Sequence, residues 1–392
     1  MADAPVLDID LFTEESILDP YENYAAIRDA GPAVWLPRHQ VYALGRYRDV
    51  RAALRDGKRF VSGEGVFFNA EANQHIRGTL LASDGDLHDK LRGIIAPPLY
   101  PAAVRALAEG LTEEAEALVA RLVEGRSFDA VLDLAWHLPS TVVTRLVGLP
   151  EDGRERMREW GLATFDAIGP ADKPRTLAAM PDNFEMHDFV ASPDLPERLL
   201  PGSWSTRIFD AAKAGEITAQ QCVSLLIDYV APSLDTTVSA MSSAIWLFAQ
   251  FSEQWDLLRA RPALMSRAIA EVVRLESPIR TFSRFAAEDV EVDGVTIPAG
   301  ACVAMLYASA NRDERKWTNP ERFDIEREGV NDHLGFGNGA HICAGMHLAQ
   351  LEVTCVLRAL ASRVKRFHLG APERLMSNIL RGFHSLPIEV EI

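Results

Sequence analysis

No stretch of this 392-residue chain reaches the roughly eighteen consecutive apolar residues that a membrane-spanning helix needs. Its first residues, Met1-Ala2-Asp3-Ala4-Pro5, carry neither the basic nor the apolar run of a secretory leader, so a cytoplasmic protein without a membrane anchor is expected. Cysteine is scarce. Cys222, Cys302, Cys343 and Cys355 stand too far apart for a Cys-x-x-C pair, which argues against a disulfide framework or a zinc ribbon. Excess positive charge is also lacking, and the formal net charge of −16 speaks against general nucleic-acid affinity. Internal repeats and Gly/Ser-rich or Pro-rich linkers are absent. With 48% hydrophobic residues, one domain over residues 1–392 with a large core is the expectation.

The local patterns are mostly helical. A helix is expected from Asp19-Pro20 through Arg28, with Pro20 at a tolerated first-turn position. Further helices are expected over Leu107 to Leu122 and Ile217 to Phe251. Small strand islands interrupt them. Val34-Trp35-Leu36 and Val41-Tyr42-Ala43-Leu44 resemble a strand pair, and Val290–Val292 and Val295–Ile297 flank Asp293-Gly294, a dipeptide suited to a two-residue hairpin turn.

The most informative run is Phe336-Gly337-Asn338-Gly339-Ala340-His341-Ile342-Cys343-Ala344-Gly345. Gly337 and Gly339 allow a tight turn in which backbone N–H groups reach the sulfur. The stretch after the cysteine has helical composition, so Cys343 faces the positive end of a helix, which favours thiolate. Phe336 can cover it. A lone cysteine is commonly a buried structural residue. In this setting Cys343 is expected instead to be an axial thiolate, and therefore a metal ligand, for haem.

Every fixed position of that run matches the cysteine loop of the cytochrome P450 family, Phe-Gly-x-Gly-x-His-x-Cys-x-Gly, which the chain resembles over nearly its whole length. The resemblance implies a mainly α fold, one large helical domain with a small β-sheet region. It also implies haem b as cofactor, with electrons from NAD(P)H through a ferredoxin reductase and an iron–sulfur ferredoxin, and a monomeric enzyme. Glu271 and Arg274 match the family's Glu-x-x-Arg pair, and Arg322 in Asn319-Pro320-Glu321-Arg322-Phe323 matches its third, structural member. His88, Arg92, Arg284 and His341 are the implied partners of the haem carboxylates. An acidic ferredoxin would dock on the cysteine-loop face, where Lys90, Arg92, Arg105, Arg312, Arg315 and Lys316 are the candidate basic residues.

Ala231-Pro232-Ser233-Leu234-Asp235-Thr236-Thr237 resembles the family's oxygen-binding motif, and an acid beside an alcohol supplies a proton relay through water. Asp235 and Thr236 are the expected catalytic residues. They favour a reductase-driven monooxygenase over a peroxygenase or a haem-based sensor. Pro232 and Ser233 stand where the family usually has Ala-Gly, and Pro232 is expected to kink the helix by removing an N–H.

The segments that line the substrate pocket in the family contribute Phe67, Phe68, Phe165, Ile168, Ile227, Asp228, Ala231, Ile279 and Phe282. This wall has no Lys or Arg, whereas burying a benzoate carboxylate unpaired would cost several kcal/mol. Glu64 and Asp228 even place acids in segments where such a ligand would need Arg or Ser. A small neutral aromatic, a guaiacol-type ether losing its O-methyl group or an alkyl aromatic being hydroxylated, is the expected substrate. A terpenoid or other apolar skeleton is the alternative.

Overall fold

The helices that position the site are α1 (Gly85–Ile95), α2 (Ala108–Gly125), α3 (Glu151–Ala167), α4 (Pro174–Val190), α5 (Ala219–Gln250), α6 (Met265–Glu276) and α7 (Met346–Ala361). They are seen in a computed structural model that describes residues 4–392. A capping box opens α5: the Gln221 N–H donates to Thr218 Oγ1 at 3.2 Å, and the Thr218 N–H to Gln221 Oε1 at 3.0 Å. The helix then runs through the protein core, against α3, α4, α6 and α7. It is α-helical on both sides of Pro232, which lacks the N–H that would bond the Asp228 carbonyl.

The short strands form separate small sheets. The largest has the order β1 (Val34–Leu36), β2 (Val41–Leu44), β8 (Cys302–Leu306), β5 (Thr281–Ala286), β3 (Phe60–Val61). Val34 pairs antiparallel with Ala43, Ala43 runs parallel to Ala304, and Ser283 lies antiparallel to Ala304. The expected hairpin joins β6 (Val290–Val292) to β7 (Val295–Ile297), with φ of 48° at Asp293 and 87° at Gly294, the left-handed pair a two-residue turn requires. β4 (Ser127–Asp129), β12 (Pro387–Glu391) and β9 (Arg366–Leu369) make a third sheet, and β10 (Glu373–Arg374) pairs with β11 (Phe383–Ser385).

Glu271 and Arg274 lie fully buried on α6 and meet through two hydrogen bonds, 2.7 and 2.9 Å. Arg274 also donates to the carbonyls of Asn311 and Pro320, at 2.7 and 2.9 Å. The third member is Arg327, which corrects the assignment of Arg322. Arg327 Nε reaches both Glu271 oxygens, at 2.9 and 3.1 Å, and its remaining nitrogens bond the carbonyls of Thr318, Asn319 and Arg322. Arg322 is exposed and contributes only that carbonyl. The reason is alternation: Phe323, Ile325 and Arg327 point inward, which turns Arg322 and Glu326 to the surface.

Removing one partner of a buried pair leaves the other charge uncompensated. Arg327→Leu should therefore destabilise the protein by about 3 kcal/mol or more, whereas Arg322→Ala should stay within about 0.5 kcal/mol. Urea unfolding of the two variants distinguishes the roles, and equal losses would contradict them.

Candidate functional site

The cysteine loop is built between α6, α1 and the start of α7. Gly337 and Gly339 adopt φ of 72° and 75°, and a Cβ on Gly339 would lie 2.2 Å from the carbonyl oxygen of Leu54. That position excludes any side chain. The Cys343 N–H donates to the Phe336 carbonyl at 2.9 Å, closing the turn, and Phe336 packs half-buried against the large apolar cluster around α5. Burial pushes the Cys343 thiol up, opposed by the N–H of Gly345, the Arg92 charge and the N–H of Met346. Cys343 is nevertheless open at its surface. A side chain set deep in the protein but open on one side lines an internal cleft.

The candidate carboxylate partners gather at one edge of this loop. The rings of His88 and His341 lie 4.3 Å apart. Arg92 donates to the Ile342 carbonyl at 2.6 Å, tying α1 to the loop. Arg284 is buried on β5, and its charge bears on His341, whose pKa is lowered mainly by burial. His88 is buried, and among the described residues its Nε2 has no hydrogen-bond partner.

On α5, Asp235 and Thr236 face different ways, as successive helical residues must. Thr236 is half-open and donates its hydroxyl to the Pro232 carbonyl at 3.0 Å. Asp235 is buried and turned toward α3, where a Cβ on Gly161 would lie 2.2 Å from its Oδ2. Burial pushes its pKa up to about 8, opposed by Arg158 and assisted by Asp166, so it holds its proton at neutral pH. Asp235 and Arg158 share a small pocket with Trp136 and His384. Arg158 escaped the reading of the sequence because nothing local ties an exposed-looking Arg on α3 to an acid on α5.

Phe67, Phe165 and Ile168 are buried in one apolar cluster, with Phe68, Ile279 and Phe282 packed against it, and the rings of Phe67 and Phe282 are 6.3 Å apart. Ile227 and Ala231 belong to the adjoining cluster around α5. Asp228 lies between them on the same helix, and burial pushes its carboxyl up to about 7. Glu64 is outside this wall, since it pairs with Arg77 at the surface.

Comparison with known proteins decides what this arrangement belongs to. The family model for cytochrome P450 matches residues 249–389. Cytochrome p450 CYP199A2 of Rhodopseudomonas palustris is 36% identical over 394 residues, covering 99% of this chain and 95% of that protein. The chain belongs to the cytochrome P450 family. Linalool 8-monooxygenase of Pseudomonas putida is 31% identical, with 97% of each protein covered. Among solved structures, the Mycobacterium marinum cytochrome P450 CYP268A2 in complex with pseudoionone matches with a TM-score of 0.88 at 27% identity, covering 99% of this chain and 100% of that one.

A P450 carries haem on a cysteine thiolate and draws electrons from NAD(P)H through redox partners. The residues present suit that group: a thiol met by two backbone N–H groups, and at one edge His88, Arg92, Arg284 and His341 as donors for carboxylates. Among the described residues no helix is long and apolar enough to cross a membrane.

Cys343→His should abolish the red-shifted Soret band of the reduced, CO-bound P450, and an unchanged band would refute the ligand assignment. Thr236→Ala should keep substrate affinity while coupling of reductant to product falls about tenfold in favour of hydrogen peroxide. Wild-type coupling in that variant would refute a role for the hydroxyl in proton delivery.

Proposed function

We propose that this P450 inserts one oxygen atom from O2 into a small neutral aromatic, removing an O-methyl group from a methoxyphenol-type ether or hydroxylating an alkyl substituent. The observation that carries the reading is the apolar cluster in which Phe67, Phe68, Phe165 and Phe282 pack with Ile168 and Ile279, which we take as the wall of the substrate pocket. Ring edges and faces grip a flat aromatic guest. No cation belongs to that wall. Arg280, between Ile279 and Thr281, is fully buried and gives its guanidinium to the carbonyls of Ser377 and Asn378, at 3.1 and 2.5 Å. A benzoate would therefore meet Asp228 without a balancing charge.

In this reading haem bound through Cys343 supplies oxygen activation, with the thiolate favouring O–O cleavage. The chain's own residues hold and deliver protons. Asp235, protonated at neutral pH, is the reservoir on the α3 side, and the Thr236 hydroxyl, open to the cleft, positions water there. His88, Arg92, Arg284 and His341 orient the cofactor. The methyl carbon is oxidised, one oxygen atom ends in the product and the other in water, and the resulting hemiacetal releases formaldehyde and the phenol.

An iron–sulfur ferredoxin and its reductase are the proposed electron donors, docking near the cysteine loop, where α1 carries the exposed Lys90 beside Arg92 and Arg105 is exposed nearby in sequence. Three other basic candidates are already engaged. Arg312 pairs with Glu276 and Glu321, Arg315 with Asp29, Asp313 and Glu314, and Lys316 with Asp332. A terpenoid is the second reading, because two of the similar proteins are named for linalool or were solved with pseudoionone.

Titrating the P450 with 4-alkylguaiacols, 4-methoxybenzoate and a monoterpene, and following the substrate-induced spin-state shift, tests the proposal. The guaiacols should bind at least about tenfold tighter than the benzoate. Tighter binding and better-coupled turnover with the benzoate would overturn the charge argument, and the same result with the monoterpene would overturn the aromatic one.

A further inference from the structure

Helix α5 is enclosed on most of its surface, with Leu225, Leu226, Tyr229, Val230 and Leu234 all buried. From Val223 to Thr236 the residues that are not buried are Val223, Ser224, Ile227, Asp228, Pro232, Ser233 and Thr236. Ser224, Asp228 and Thr236 are half-buried and Pro232 is exposed, at successive steps of four residues along one side of the helix. Eight residues put Asp228 two turns from Thr236 and about 80° from it around the axis, so the two lie on one broad side of the helix.

One acceptor of Asp228 lacks a donor, and a second has lost its usual one. Among the described residues its Oδ2 is sealed from solvent and has no hydrogen-bond partner. Its backbone carbonyl has lost the usual helical donor, because residue 232 is proline and has no N–H. The neighbouring hydroxyl does not compensate, since Ser233 Oγ donates to the Tyr229 carbonyl. No charged group shifts the carboxyl, which burial alone pushes up to about 7. A buried acceptor left unmet costs about 1–3 kcal/mol, and a ligand that supplies the donor recovers it. Burial disfavours the ionised carboxylate that an ammonium would need, so the complementary group is a neutral hydroxyl.

We infer that Asp228 determines specificity by accepting a hydrogen bond from a substrate hydroxyl, which turns the opposite end of the ring toward the oxygen-activating residues. The inference rests on the aromatic reading above and sharpens it. Eight residues of helix separate Asp228 from Thr236, about 12 Å along the axis. An ortho-methoxy group would be held beside the anchor and away from Thr236. A substituent para to the hydroxyl reaches toward it. The preferred substrates are thus phenols whose methoxy or alkyl group stands para to the free hydroxyl.

The test uses the haem-loaded P450, with the CO-bound Soret band as the check that each variant is folded. Binding and coupled turnover are measured for 4-methoxyphenol, 1,4-dimethoxybenzene, 2-methoxyphenol and 4-methoxybenzylamine on wild type, Asp228→Asn and Asp228→Leu. Wild type should bind 4-methoxyphenol at least about tenfold tighter than 1,4-dimethoxybenzene and demethylate it with better coupling than 2-methoxyphenol. Asp228→Leu should erase the tenfold preference, and Asp228→Asn, which keeps an acceptor, should retain most of it. An undiminished preference in Asp228→Leu, better-coupled demethylation of the ortho isomer, or tightest binding by the amine would each overturn the anchor. Should no aromatic bind while linalool does, the aromatic reading fails by itself. Linalool against its deoxygenated hydrocarbon then tests Asp228, and equal affinities overturn it.

Discussion

The cleft depends on a buried charge, Glu271, and on the two guanidinium groups that make its burial tolerable. An isolated carboxylate in the core would cost several kcal/mol, so Arg274 and Arg327 must both stay in place, each held by backbone carbonyls from the segment that leads toward the cysteine loop. This couples α6 to that segment. Asn311, whose carbonyl Arg274 holds, accepts the Leu334 N–H on its side chain at 2.7 Å and donates to Ser277 Oγ at 2.9 Å. Next along the chain, Gly335 lies so close to α6 that a Cβ there would be 2.4 Å from Val273 Cγ1. Burial lowers the His333 pKa to about 4, so the neutral ring accepts the Gly335 N–H at 3.1 Å. The geometry at Cys343 thus begins with an ion cluster that never touches the reaction.

Helix α5 serves two environments at once. Its α3 side keeps a carboxylic acid protonated by burial, with Arg158 close enough to bias that state. Its cleft side presents a hydroxyl and, at Pro232, a carbonyl that Thr236 occupies. In place of the family's Ala-Gly pair, this chain removes one donor and keeps the helix intact. Pro232 takes the usual donor from the Asp228 carbonyl, and in the proposed reading oxygen handling and substrate orientation share one side of the helix.

Much of this was legible in the sequence where the signal is local. The Asp293-Gly294 turn, the strand pair at Val34–Leu36 and Val41–Leu44, and the long helix ending near Phe251 follow from short-range patterns that tertiary packing did not override. The cysteine loop was legible because its glycines and Cys343 are adjacent. Motif position points to Arg322, whereas the inward alternation of Phe323, Ile325 and Arg327, visible in the residues, points to Arg327. Glu64 and Arg312 were misplaced for another reason. Their surface or buried partners, Arg77, Glu276 and Glu321, are set by the fold, and no spacing rule brings Arg312 to Glu276. The direction of Asp235 likewise depends on Gly161 leaving room on a helix far away in sequence.

An apolar wall and a polar anchor discriminate on different scales, and this decides which feature of the cleft sets selectivity. One methylene gained or lost against Phe67 or Phe282 is worth about 1–3 kcal/mol, and such a pocket tolerates many shapes. A site built to meet a hydroxyl rejects the analogue that lacks one far more strongly, because its own buried acceptors then stay unmet. The phenylalanines therefore define the class of guest, flat and uncharged. Asp228 is the one polar side chain in that wall, and among the described residues its Oδ2 has no hydrogen-bond partner. It therefore has the larger leverage over which member of the class is held, and which of its carbons is turned toward Thr236.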